Sequence, residues 1–323
     1  LIYNILNLLQ MLDLIIKNGQ CYVNGKLEAS EIAVKDGKIF KIGKISDDAK
    51  EIYDASNKIV LPGCLDTQTH FREPGSTDTE DLHSGSRAAV AGGITGVFEM
   101  PNTNPPTANK KEFQKKLDLA KNRMYCNYAF YFGATADNAD DLASLKDLEG
   151  CCGIKLFAGS STGNLLVANE KDIEKVFQNS SKVVAVHSED EEILNINKKL
   201  IKQGDVHSHP IWRSEECAMS STRRIVRIAE KYNKKAHVLH ISTKQEIDFL
   251  SQHKGNITFE ITPQHLTIYA PDCYDKLGTY AQMNPPIRDK SHYDRLWYAV
   301  KNNLNDTIGS DHAPHLKKNK EKV

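Results

Sequence analysis

Gly63-Cys64-Leu65-Asp66-Thr67-Gln68-Thr69-His70 is the stretch at which the pattern of this chain changes. Before it, short strand-like segments are separated by tight turns, and two of them flank Asp36-Gly37, a pair that favours a β-hairpin. After it, short apolar segments alternate with longer amphipathic ones, as in parallel βα folds. The sequence therefore predicts an N-terminal β-sandwich subdomain at residues 1–62 and a second domain at residues 63–323.

The second domain contains eight apolar segments, each of the length of one buried strand. They lie at residues 63–66, 95–100, 127–132, 153–157, 183–186, 236–239, 257–261 and 307–309. Amphipathic segments separate them, so we predict an α/β fold of the TIM-type (β/α)8 barrel class, which takes about 250 residues. An open, doubly wound sheet is the competing topology, because periodicity alone does not distinguish the two.

The two ends of the chain fit this prediction less well. Residues 1–10 precede Met11, and we expect them to be an extension outside the folded structure. The first fourteen residues are apolar, but they are too short to span a bilayer and lack a basic segment. The eighth predicted strand ends near Asp311, so we expect a truncated C-terminus that lacks the last barrel helix.

Charge and cysteine content limit the classes of function. Lys plus Arg and Asp plus Glu number 42 each, which gives no electrostatic reason to expect nucleic acid or an anionic membrane as partner. The seven cysteines are odd in number and include no C-x-x-C pair. This composition favours a reduced, cytoplasmic protein over one held together by disulfides.

Residues that can bind a metal ion recur where predicted strands end. They follow or end strands one, five, six and eight, and one lies within strand four: His70, His187, His240, Asp311 and Lys155. In a barrel these positions meet at one mouth, and imidazole and carboxylate suit zinc with an open coordination position. Each histidine alone could equally cap a strand end, and His237 is expected to face the other side of the barrel. Their joint occurrence favours a metal site.

Lys155 has a second unusual property, because it stands inside the apolar segment Gly153-Ile154-Lys155-Leu156-Phe157. Burying a lysine is costly unless the ammonium is paired or loses its charge. We therefore expect a special role for this side chain.

The stretch from Asp66 to Gly75 resembles the signature of dihydroorotases, usually Asp-x-His-x-His-x-Arg-Glu-Pro-Gly. The resemblance covers about residues 14–315, and hydantoinases and allantoinases of the amidohydrolase superfamily share its middle motifs. The further motifs follow in chain order: Glu99-Met100-Pro101-Asn102-Thr103, Gly153-Ile154-Lys155-Leu156-Phe157, Val186-His187-Ser188-Glu189, Leu239-His240-Ile241-Ser242-Thr243, Met283-Asn284-Pro285-Pro286-Ile287-Arg288 and Gly309-Ser310-Asp311-His312-Ala313-Pro314-His315.

The resemblance implies a site for two zinc ions. It assigns His70 and Asp311 to the first ion, and His187 and His240 to the second. Lys155, carboxylated by CO2, would bridge the two, because a buried lysine with a depressed pKa presents a neutral amine. Asp311 would also take the proton of the attacking water and deliver it to the leaving nitrogen.

Gln68 stands where the family has its first histidine. An amide oxygen is a neutral and weaker ligand for zinc than imidazole. We therefore expect the first zinc to bind less tightly, or the site to work with one zinc ion.

The resemblance also implies the residues that bind substrate. It assigns Arg72, Asn102 and His315 to the carboxylate of dihydroorotate, since a guanidinium fork matches a carboxylate, and Asn284 to the ring. A surface ion pair for Arg72 and a turn position for Asn102 are the alternatives. His209 lies in a polar loop and is expected in a solvated turn.

The resemblance implies the function of a dihydroorotase, which interconverts dihydroorotate and carbamoyl-aspartate in pyrimidine synthesis. A hydantoinase or allantoinase is the alternative within the enzyme class. A non-catalytic partner of aspartate transcarbamoylase is the alternative outside it. The expected partner is a small-molecule substrate, and the family implies a homo-oligomer, with aspartate transcarbamoylase as a further partner.

Overall fold

The computed structural model of the protein describes residues 11–161, 165–253 and 255–321. The chain forms two compact units, Leu1–Gly63 and Cys64–Val323. The expectation that residues 1–10 are an extension lies outside the described residues. No helix within the described ranges combines the length and the apolar character needed to cross a membrane.

The first unit is a five-stranded mixed sheet. Its strands are β1 (Leu12–Val23), β2 (Lys26–Lys35), β3 (Lys38–Ile42), β4 (Ala49–Asp54) and β5 (Ile59–Val60). Strand β1 pairs antiparallel with β2 and parallel with β4 and β5, while β2 and β3 form the hairpin around Asp36-Gly37. Its small core consists of Leu12, Ile15, Ala33 and Ile45.

Strand β1 continues past Asn18-Gly19, a residue pair that is typical of turns. Asn18 has φ 62°, and the register of β1 against β2 shifts between Ile16 and Gly19, which marks a β-bulge. A Cβ atom on Gly19 would lie 2.8 Å from the Val60 side chain. Asn18 and Gly19 therefore form a bulge within β1 and not a turn. Asparagine tolerates positive φ, and glycine leaves room for the neighbouring Val60 side chain.

The second unit is built on eight parallel strands that pair in chain order. They are β6 (Cys64–Thr69), β7 (Ile94–Glu99), β8 (Asn127–Gly133), β9 (Cys151–Phe157), β10 (Val184–His187), β11 (Ala236–Val238), β12 (Ile257–Ile261) and β13 (Thr307–Ile308). The first and last strands meet where Thr69 forms a parallel bridge with His312, and the His70 N–H donates to the His312 carbonyl at 2.7 Å. The sheet is a nearly closed barrel, so the predicted TIM-type fold is confirmed.

Helices connect the strands, and most of the longer ones pack against the outside of the barrel. They are α1 (Leu82–Ala91), α2 (Lys110–Ala120), α3 (Glu170–Asn179), α4 (Glu191–Asn197), α5 (His209–Trp212), α6 (Glu215–Lys231), α7 (Lys244–Leu250), α8 (Pro263–Thr267), α9 (Asp272–Leu277), α10 (Lys290–Lys301) and α11 (Lys317–Lys320). The amphipathic segment at residues 189–202 forms a helix that is shorter than the segment, α4. It begins only after Asp190, whose side chain accepts hydrogen bonds from the Glu192 and Ile193 N–H groups.

The alternation of side chains along the strands decides which residues reach the barrel interior. Ile154 and Leu156 on β9 belong to the core that also contains Phe113 of α2 and Ile225 of α6. Since successive side chains of a strand point to opposite faces, Lys155 faces inward. The core between sheet and helices thereby directs a lysine into the barrel.

Candidate active site

A cavity of about 540 Å³ opens where the barrel strands end. Eight of the residues singled out in the sequence line it: Gln68, His70, Lys155, His187, His240, Asn284, Asp311 and His315. Arg72 and Asn102 do not line it but contact residues that do. The residues come from opposite sides of the barrel, so only closure of the sheet brings them together.

Two of these residues have an unusual backbone. His240 and Asp311, just beyond β11 and β13, have φ of 40° and 48°. Among the described non-glycine residues with positive φ, His240 is the only one that is neither asparagine nor aspartate. Positive φ strains a residue with a Cβ atom, and such strain clusters at functional sites.

His70, Gln68 and Asp311 form one side of the cavity. His70 Nε2 lies 3.1 Å from Asp311 Oδ1, and Gln68 Nε2 donates to the same oxygen at 2.9 Å. The Gln68 side chain is buried, and its Oε1 accepts no hydrogen bond from the described residues. Asn102 Oδ1 lies 2.7 Å from His70 Nδ1, which must donate to it, so Nε2 is the nitrogen that remains for a metal ion.

His187 and His240 form the opposite side. His187 Nδ1 faces His240 Nε2 at 3.0 Å, and His187 Nε2 lies 2.9 Å from Glu189 Oε2. Glu189 is fully buried and forms an ion pair with Arg213. Burial would raise the pKa of Glu189, but the charge of Arg213 and the hydrogen bond with His187 outweigh it and hold the pKa below its ordinary value.

Lys155 lies deep in the cavity, with 1% of its surface exposed. Its Nζ is 4.6 Å from the centre of the Phe157 ring and forms no hydrogen bond or salt bridge with the described residues. Burial lowers the pKa of Lys155 to about 7, although Asp311 and Glu260 oppose the shift. A large share of the side chain is therefore a neutral, nucleophilic amine near neutral pH.

Arg72 and His315 lie together at the rim. Arg72 Nε donates to the Pro314 carbonyl at 2.9 Å, and Nη2 lies 3.4 Å from His315 Nε2. Burial lowers the pKa of His315, and the charge of Arg72 lowers it further. A neutral imidazole thus stands beside a cation, an arrangement suited to an anionic group of a ligand.

Sequence reasoning missed His209, which lines the cavity. The expected solvated turn is wrong, because the ring is buried and its Nε2 donates to the Met283 carbonyl at 2.9 Å. Burial lowers its pKa to about 4. Met283 is distant in sequence, so the local pattern gave no signal of this contact.

Glu189 and Arg213 were also given no role from the sequence. The only local signal was an acidic residue two positions after His187, at the end of a buried strand. Their pairing depends on the approach of the segment before α6 to the end of β10, which no sequence motif indicates.

Two further histidines do not reach the cavity. His237 Nδ1 lies 2.8 Å from the Thr258 hydroxyl, and Nε2 lies 3.3 Å from that of Thr307. His265 pairs with the Thr262 hydroxyl at 2.7 Å. The hydrogen-bond partners of both rings lie outside the cavity.

Glu215, Asp289 and His292 form a separate cluster with ligand-type atoms within 4.8 Å of one another. His292 Nδ1 accepts the Lys244 N–H at 3.0 Å, so its Nε2 carries the ring proton and donates to Glu215 Oε1 at 3.0 Å. With both nitrogens engaged, the ring offers no lone pair to a metal ion. The cluster instead links the starts of α6, α7 and α10.

Comparisons with known proteins agree with this architecture. A dihydroorotase of Methanosarcina mazei is 34% identical over 96% of this chain and 71% of its own length. An allantoinase of Escherichia coli is 32% identical over 94% of this chain and 70% of its own. The solved L-hydantoinase of Arthrobacter aurescens superposes with a TM-score of 0.91 at 27% identity, over 96% of this chain and 71% of that one.

The barrel, its polar mouth and these relatives define the class: this is a hydrolase of carbon–nitrogen bonds in cyclic amides. The profile of the Amidohydrolase family matches residues 59–320. The chain belongs to the amidohydrolase family, and the resemblance noted in the sequence is confirmed.

Proposed function

We propose that this protein is a dihydroorotase that reversibly hydrolyses dihydroorotate to carbamoyl-aspartate in pyrimidine (UMP) synthesis. The observation that carries the proposal is the pair of Arg72 and His315 at the rim of the cavity. Dihydroorotate has a carboxylate that such a pair can bind, whereas hydantoin and allantoin have none. The similarity to dihydroorotases supports the same choice.

The donor set fits the zinc ions that this function requires. Nitrogens of two imidazoles lie 3.0 Å apart, and a lysine with a pKa of about 7 lies within the cavity. The Gln68 amide oxygen is buried and has no hydrogen-bond partner among the described residues. The residues that would hold zinc are His70, Asp311 and Gln68 for the first ion, His187 and His240 for the second, and Lys155, carboxylated by CO2, for both. Bound zinc would polarise the amide carbonyl and lower the pKa of water.

The side chains of the protein divide the remaining work. Arg72 and His315 would hold the substrate carboxylate, and Asn284, which lines the cavity, would bind the ring. A water oxygen bonds to the ring carbonyl carbon as the ring carbon–nitrogen bond breaks. Asp311 would accept the proton of that water and return it to the leaving nitrogen, so that the carboxylate is regenerated.

The test compares dihydroorotate, hydantoin and allantoin as substrates of the same purified, zinc-loaded protein. We expect dihydroorotate to have the highest kcat/KM. Arg72→Gln should lower that value about 100-fold, because a charge-assisted contact to the carboxylate is lost.

The other functions predict different results. Faster hydrolysis of hydantoin or allantoin, unaffected by Arg72→Gln, would contradict the proposal and favour the alternative enzymes. Absence of both zinc and turnover would favour a non-catalytic partner of aspartate transcarbamoylase. Homo-oligomerisation and the cytoplasmic location stay predictions.

A further inference from the structure

Glu189 and Arg213 form a buried ion pair directly behind His187. Glu189 is 0% exposed, and Arg213 is 3% exposed. Arg213 Nε donates to Glu189 Oε1 at 3.1 Å, and its Nη2 donates to Oε2, so the guanidinium binds the carboxylate in a bidentate manner. A carboxylate buried this deeply needs such a partner to remain ionised.

The arginine is itself fixed by the backbone around it. Its Nη2 also donates to the Ser160 carbonyl at 2.7 Å, in the segment that follows β9. Its own carbonyl accepts from Arg288 Nη1 at 2.6 Å, and Arg288 Nε lies 3.3 Å from the Ser242 hydroxyl, beyond β11. The ion pair is therefore anchored to the ends of three neighbouring strands, and Glu189 has little freedom to move.

The ion pair decides which nitrogen of His187 carries the proton. Glu189 Oε2 lies 2.9 Å from His187 Nε2, and an ionised carboxylate can only accept a hydrogen bond. The proton must therefore lie on Nε2. Nδ1 then carries the lone pair of the ring and accepts a hydrogen bond from His240 Nε2, 3.0 Å away. Unlike the backbone N–H that faces His292 Nδ1, this donor is an imidazole that can give up its proton when a metal ion binds.

We propose that Glu189 and Arg213 are positioning residues that hold the His187 ring with its proton on Nε2 and present Nδ1 to a divalent metal ion. The inference rests on the metal site of the proposed function. It assigns Glu189, which follows β10, and Arg213, which precedes α6, to that site, although neither side chain lines the cavity. Hydrogen-bonded partners behind a ligating histidine fix the orientation of its ring and raise metal affinity.

The first experiment needs no variant in the ion pair. Histidine in the metal-free protein is labelled with 15N, and long-range 1H–15N correlation spectra report the protonated nitrogen of each ring. The His187 signals are assigned by their loss in His187→Gln. We expect Nε2 protonated and Nδ1 unprotonated; a proton on Nδ1 would overturn the proposal.

The second experiment measures zinc affinity by competition with a chelator. Glu189→Gln keeps an acceptor but loses the ion pair with Arg213, and we expect zinc to bind about 10- to 100-fold more weakly at the His187 site. Glu246→Gln is the matched control. Glu246 is also buried, accepts hydrogen bonds from the Thr222 and Thr243 hydroxyls, and contacts no residue proposed to bind zinc.

The outcomes separate this inference from the proposed function. Wild-type affinity in Glu189→Gln, or an equal loss in Glu246→Gln, would overturn the positioning role. A wild-type protein that binds no zinc would contradict the proposed function instead, and the labelling experiment would still decide the state of the His187 ring.

Discussion

At the scale of single residues, we expect Gln68 to limit metal binding on one side of the cavity. Its Nε2 donates to Asp311 Oδ1 at 2.9 Å, which occupies an oxygen that would otherwise face a cation. The amide must rotate before Oε1 can act as a ligand, and the rotation breaks this hydrogen bond. The hydrogen bond between Gln68 and Asp311 therefore opposes binding of a metal ion on the His70 side of the cavity.

Gln68→His should raise the number of tightly bound zinc ions from one to two per chain. An imidazole lone pair replaces a hydrogen-bond donor, so the zinc ion held by His70 and Asp311 should bind at least about tenfold more tightly, which corresponds to more than about 1.4 kcal/mol. The measurement is zinc content after dialysis against buffered zinc. Gln264→His also adds an imidazole to the cavity wall and serves as control. Two equally tight zinc ions in the wild type would contradict this account of Gln68.

At the scale of secondary structure, α1 supports the segment that carries His70 and Arg72. The residue between them, Phe71, is buried and packs against α1. A Cβ atom on Gly85 of α1 would lie 2.6 Å from Phe71 Cδ1. The glycine thus permits close packing between the helix and the ring.

Gly85→Ala should destabilise the protein, although alanine is the better helix former. The gain in helix propensity is about 1 kcal/mol, whereas overpacking a core typically costs about 1–3 kcal/mol. Urea unfolding gives the net change, with the exposed Arg87→Ala in the same helix as control, expected within about 0.5 kcal/mol of wild type. A more stable Gly85→Ala would show that Phe71 moves freely.

At the scale of the whole molecule, His209 connects two segments that are remote in the sequence. Its contact with the Met283 carbonyl joins the start of α5 to the loop before α10 beside the cavity. Burial holds its pKa at about 4, below the ordinary value of 6.5. Between these values the unfolded chain binds a proton that the folded chain does not, so stability is lost as the pH falls from 6.5 towards 4.

His209→Asn should make unfolding less sensitive to acid. The histidine accounts for up to about 3 kcal/mol of the free energy of unfolding that is lost between pH 6.5 and 4, and the variant lacks this contribution. Urea unfolding across that range provides the test, and His207→Asn, which removes a more exposed ring, is the control. His265, also buried, remains in both variants, so a residual slope is expected. If the free energy of unfolding of His209→Asn depended on pH as steeply as that of the wild type, His209 would not be the source of the acid sensitivity.

Much of the architecture was predictable because it depends on local patterns. Apolar segments separated by amphipathic ones predict strands and helices, and the ends of parallel barrel strands must share one mouth. Lys155, His187, His240 and Asp311 line one cavity for this reason. Asn18-Gly19 shows the limit of the same approach, because a turn and a bulge both use asparagine at positive φ.

The sequence by itself determined the order of strands and helices and the chemical types of side chain at the strand ends, and it favoured a barrel over an open sheet without deciding between them. Only the tertiary structure decided that Arg213 grips Glu189, that His209 is buried and that the Gln68 amide donates to Asp311. These contacts join residues 24 or more positions apart, and their geometry depends on how loops from different strands pack. Strands and helices follow from residue propensities and hydrophobic periodicity, which are local in the sequence. Which side chains contact each other across the site depends on closure of the barrel.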